Sequence, residues 1–148
     1  MATLGQLQRL YSQIVKEEQG YWEELVQLVD DLQVRLGIVM GVDPKTSDLI
    51  AFGLVRESGE FIKAAPRQLK RVDRALSFAV KITLSQTQSL VPPNELVSQW
   101  DIKQTSAGLQ LINKDGGISQ FTDIVGVAAH IADAFETKIS NYSPYLSR

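Results

Sequence analysis

The sequence predicts an α+β fold: an antiparallel meander sheet flanked by a long N-terminal amphipathic helix and a C-terminal helix. Three observations predict it. Residues 4–36 carry apolar side chains at alternating steps of three and four, which is one face of a helix. Residues 38–114 break into short apolar runs separated by turn residues. Residues 119–139 return to helical spacing. The links between the short runs are too brief for parallel crossovers, so the sheet is antiparallel.

The first helix reads Leu4, Leu7, Tyr11, Ile14, Glu18, Tyr21, Leu25, Leu28 and Leu32 along one seam, with Val15, Trp22, Val29 and Leu36 beside it. Thr3 is placed to cap it, and Gly37 to end it in the left-handed conformation. Gly20 is its weak point, at about 1 kcal/mol against Ala. Glu18 interrupts the seam in the same turn. The acidic doublets Glu17-Glu18, Glu23-Glu24 and Asp30-Asp31 line the flanks.

Residues 38–42 form a β-branched run ended by Asp43-Pro44, which predicts a first strand. Residues 49–56 and 61–63 predict a hairpin across Glu57-Ser58-Gly59-Glu60. Pro66 suits the first position of a helix, and a short helix is predicted over 66–74. Over 66–86, Leu69, Val72, Leu76, Ala79 and Val80 also keep helical spacing. But Leu76, Phe78, Val80, Ile82 and Leu84 alternate with Ser77, Ala79, Lys81 and Thr83, and Phe78 and Ile82 would fall on the far face of a helix. A strand is therefore predicted over 76–85, with a helix as the alternative. Pro92-Pro93 sits in a loop. Strands follow at 96–104 and 109–113, joined by Ser106-Ala107-Gly108, and Lys114-Asp115-Gly116-Gly117 ends the sheet. A helix over 119–139, capped by Ser119 or Thr122, buries Ile124, Ala128, Ile131 and Phe135. The organisation expected is one domain over 1–140 and a tail over 141–148 that holds Tyr142 and Tyr145. A chain of 148 residues buries roughly two-thirds of its unfolded surface in one core, so no staple is required.

Composition removes several chemistries. Without cysteine there is no disulfide, no thiolate zinc site and no Cys nucleophile. A net charge of −2 argues against a bulk electrostatic grip on nucleic acid. No glycine-rich turn precedes Lys-Ser or Lys-Thr, so nothing cradles a phosphate. The N-terminus lacks a basic region followed by an apolar run, and no window has the roughly 18 apolar residues of a membrane span. The cytoplasm is the expected compartment. His130, the one histidine, sits at the edge of the last helix's apolar stripe and reads as a boundary residue. Asp43, Thr46, Ser47 and Asp48 read as turn chemistry rather than a cation loop, since EF-hand spacing is missing. No cofactor and no metal are implied.

What remains is association. A 33-residue apolar helix is about 50 Å long at 1.5 Å per residue, longer than one face of a domain this size. The expectation is a non-enzymatic adaptor, chaperone or inhibitor whose partner is a second copy of the chain or another protein. Its anchors would be Leu7, Tyr11, Ile14, Tyr21, Trp22, Leu25 and Leu28, because buried aromatic and large apolar groups dominate interfaces. An alternative uses Arg67, Lys70, Arg71 and Arg74, which share a face if 66–74 is helical and could meet an anionic ligand or nucleic acid. A further alternative is an enzyme with an unrecognised site near 43–48 or His130.

Overall fold

The computed structural model describes residues 1–42, 48–84 and 94–142. The loop residues Asp43, Pro44, Thr46 and Ser47, the Pro92-Pro93 segment and the tail from Ser143, with Tyr145, lie outside the described residues.

Helix α1 spans Leu4–Met40. It starts with a capping box. The Gln6 amide donates to the Thr3 hydroxyl at 3.2 Å, and the Thr3 amide donates to the Gln6 side chain at 2.8 Å, so two orphan donors are satisfied reciprocally. The helix runs four residues further than the spacing predicts, and the expected strand at 38–42 does not form. Gly37 is buried inside the helix, and the left-handed cap is Gly41, at φ 76°. The Val42 amide reaches the Gly37 carbonyl at 2.9 Å, the six-to-one bond of a Schellman motif. Val42 also packs against the core. Ile38 and Val39 are exposed and lower helix propensity by only tenths of a kcal/mol, so the packing of their neighbours Leu36, Met40 and Val42 carries the helix through them.

Among the described residues, seven strands follow in one antiparallel sheet: β1 Ile50–Val55, β2 Phe61–Lys63, β3 Lys70–Val72, β4 Ala75–Thr83, β5 Glu95–Thr105, β6 Gly108–Asn113 and β7 Ile118–Phe121. Their order is β2-β1-β4-β5-β6-β7. The meander is plain from β4 to β7. Before that, β1 and β3 share one edge of β4, with Phe52 opposite Val80 and Arg71 opposite Leu76. At Gly53 a Cβ would stand 1.9 Å from the Ile62 carbonyl oxygen, so the β1–β2 pairing needs glycine there.

Two predicted helical segments are strand instead. Residues 66–74 hold only a 3₁₀ turn, Pro66–Gln68, followed by β3. Asp73 and Arg74 both have positive φ, at 46° and 69°, and make the tight turn into β4. The second correction is β7. Lys114 to Gly117 turns the chain back rather than ending the sheet, and Ser119 pairs with Leu111. Helix α2 therefore begins late, at Ile124–Ser140, with Asp123 as its cap: the Asp123 carboxylate accepts from the Gly126 amide at 3.2 Å.

Both helices cover one face of the sheet. Phe52, Phe78, Val80, Trp100, Ile102 and Leu111 point into the core, where Leu25, Val29, Leu32 and Leu36 of α1 and Val127, Ile131 and Phe135 of α2 meet them. The Trp100 indole N–H donates to the Ser98 hydroxyl at 2.7 Å, which satisfies the buried polar pair.

Candidate functional site

Helix α1 has two halves with opposite surroundings. Leu25, Val29, Leu32 and Leu36 are 0% exposed. On the same face of the same helix, Leu4 is 71% exposed, Leu7 51%, Tyr11 70% and Ile14 49%, with Leu10 at 54% beside them. Every residue from Met1 to Ile14 is exposed. The helix thus leaves the body at about Val15 and overhangs it, carrying its apolar stripe into water.

The anchors predicted from sequence divide accordingly. Leu7, Tyr11 and Ile14 are on the overhang. Tyr21 and Trp22 are half-buried at its base, and Leu28 is half-buried on the body. Leu25 belongs to this chain's own core.

A clasp holds the helix where it leaves the sheet. The Tyr21 hydroxyl donates to the Arg74 carbonyl and accepts from the Gln104 amide at 3.3 Å. The Arg74 guanidinium pairs with Glu18 and lies 4.1 Å over the Tyr21 ring. Arg71 lies 4.8 Å over Trp22, whose ring meets Tyr21 edge-on at 5.1 Å. The two positive-φ residues of the β3–β4 turn aim Arg74 at the helix. The hydrogen bond to Glu18 raises the Arg74 guanidinium above its ordinary value, which favours the charged form that makes the pair. Sequence reasoning named Tyr21 and Trp22 as contact anchors and Arg71 and Arg74 as an anion-binding pair. It missed that they meet one another, as well as Gln104 and the turn. The signal for that meeting was Glu18 itself: an acid in an apolar seam calls for a cation.

Tyr21→Phe removes one hydroxyl that makes two hydrogen bonds. It is expected to cost about 1–2 kcal/mol in urea unfolding. It should also speed amide exchange in the turn before the clasp more than in residues 25–36. Uniform loss of protection along α1 would count against a local clasp.

The four basic residues do not share a helical face. Arg71 and Arg74 lie against α1. Arg67 joins Arg71, but not Arg74, along a groove of about 490 Å³ with Ile14, Val15, Glu18, Trp22 and Val26. Lys70 pairs with Ser77 in β4 and borders a separate concavity beside Gln99 and Lys114. Acids Glu18 and Glu23 line the groove with Arg67 and Arg71, so its charge is mixed. His130 packs as an aromatic, 5.8 Å from Trp100 and 5.3 Å from Phe121. Among the described residues no group of His, Asp and Glu is gathered to hold a metal ion. None of their helices is long and apolar enough to cross a membrane.

No family model, curated protein or solved structure matches this chain.

Proposed function

We propose that this protein is a non-enzymatic interaction module, of the adaptor, chaperone or inhibitor type, that associates through the N-terminal half of α1. One observation carries the reading: the stripe that packs the core over residues 25–36 continues, uncovered, through Leu4, Leu7, Tyr11 and Ile14. Soluble monomers scatter single apolar residues over their surface, whereas a contiguous row marks a contact surface. The overhang also has no tertiary support of its own, and short helices in water are marginal without a covered face. Leu4 and Leu10 join the anchors, while Leu25 serves the core.

The test is sedimentation velocity of labelled wild type and of Leu7→Asp/Ile14→Asp, each alone and in an extract of the source cells. The wild type is expected to sediment as a larger species in at least one condition, and the double variant as a monomer in both. Identical sedimentation of the two chains in both conditions would overturn the reading.

A further inference from the structure

Resting on that association reading, we propose that the overhang of α1 is covered by the overhang of a second copy, antiparallel, about a twofold axis passing beside Arg9. The stripe's own spacing selects this register. Facing helices that run antiparallel bring alternate seam positions opposite one another. Centred at residue 9, Leu4 meets the partner's Ile14, and Leu7 meets the partner's Tyr11. Twofold symmetry repeats both pairs, giving four apolar layers with none left over. Leu10 flanks the axis and meets its own copy. Arg9 itself lies on the opposite side of the helix from the seam, by its spacing from Leu7 and Tyr11.

Charge and bulk exclude the alternatives. A parallel pair would set Glu18 against Glu18 in the seam. It would also drive two bodies into one space, because each sheet packs on the seam face of its own α1, at Leu25, Val29 and Leu32. The antiparallel pair places the bodies at opposite ends. It separates the two Glu18 side chains by about 27 Å at 1.5 Å per residue, well beyond the roughly 10 Å screening length. Sliding the antiparallel register by one heptad would bury Glu18 against the partner's Leu7, whereas Glu18 already holds Arg74 in the clasp. The chosen register leaves that ion pair at the rim.

The groove at the base of the overhang fits the same arrangement. Ile14 and Val15 form its near end, where the partner's Leu4 arrives. Its capping box ends the partner helix at that point, so nothing helical runs on into the clasp. Two heptads make a small interface, so the dimer is expected to dissociate on dilution.

The sequence has no cysteine, so single cysteines report the geometry cleanly in the full chain. Leu4→Cys and Ile14→Cys chains, mixed and mildly oxidised, are expected to cross-link to each other. Leu10→Cys is expected to cross-link to itself. Leu4→Cys alone should give no dimer band, since its two copies stand about 15 Å apart and a disulfide needs Cα atoms within about 7 Å. The mass of the wild type alone should approach twice the monomer, and Leu7→Asp/Ile14→Asp should return it to one. Self-cross-linking of Leu4→Cys, or cross-linking of Tyr11→Cys to Ile14→Cys in place of the expected pair, overturns the geometry while leaving association through α1 standing. A wild-type chain that is monomeric at all concentrations overturns the second copy as occupant. The association reading then falls as well only if the extract also fails to distinguish wild type from the double variant.

Discussion

Leu25→Asp is expected to abolish the folded state, while Leu7→Asp/Ile14→Asp leaves it in place, although all three side chains stand on one stripe of one helix. Leu25 is fully enclosed by the sheet and α2. A carboxylate there must stay ionised in an apolar site or be neutralised at a cost of several kcal/mol. Truncation to Ala alone would cost about 2–5 kcal/mol. Whole domains are stable by only about 5–15 kcal/mol, so the charged variant has little left. At Leu7 and Ile14 the new carboxylates meet water and cost the lone chain only helix propensity, on the order of 1 kcal/mol for the pair, and the partial cover of Ile14 beside the groove. Far-UV circular dichroism and urea unfolding separate the cases. A cooperative, wild-type-like transition in Leu25→Asp would mean that the core does not close over this position. Loss of the transition in the double variant would mean that residues 4–14 are structurally required.

That contrast marks how much was legible in the sequence. The period of α1 is continuous across its exposed and buried halves, so spacing gives the helix and its apolar face but not where the body ends. The clues to that boundary are Glu18 and Gly20, where the seam first falters and the clasp in fact sits. The seam also ran past its expected stop. Gly37 resembles a cap by position, yet the helix passes through it because Met40 and Val42 still find the core, and Gly41 supplies the left-handed turn.

The long strands β4 and β5 declare themselves by alternation over nine and eleven residues. The strands β3 and β7, of three and four residues, are too short to show a period. Around β3 the proline at 66 and the three- and four-residue steps between Arg67, Lys70, Arg71 and Arg74 imitate a helix. In β7 the side chains of Ile118 and Phe121 fall at a spacing that continues into Ile124 and Val125. Pairing with β4 and β6 decides both, and that information is non-local. The same error shaped the basic cluster. On a helix the four cations would converge, but on a turn, a strand and a hairpin they are dealt to different neighbours, three toward α1 and Lys70 away from it.

Trp100→Ala is the second large effect expected, and it separates the body from the overhang. Trp100 is 1% exposed, lies opposite Phe78 in β4 and Asn113 in β6, and receives the His130 ring edge-on. Truncation opens a cavity beneath α2 and strands the Ser98 hydroxyl, which loses its indole donor. The expected cost is about 3–5 kcal/mol. At roughly 2–4 °C per kcal/mol for a chain of this length, the thermal midpoint should fall by about 6–20 °C. Trp100→Phe keeps most of the buried area and should lose less than half as much. Association should be unchanged in either variant well below its midpoint, because Trp100 packs in the core, apart from the exposed residues 4–14, and takes no part in the clasp. If a folded Trp100→Ala chain loses its partner while Leu7→Asp/Ile14→Asp keeps it, the contact surface is on the sheet body, and the overhang has some other role.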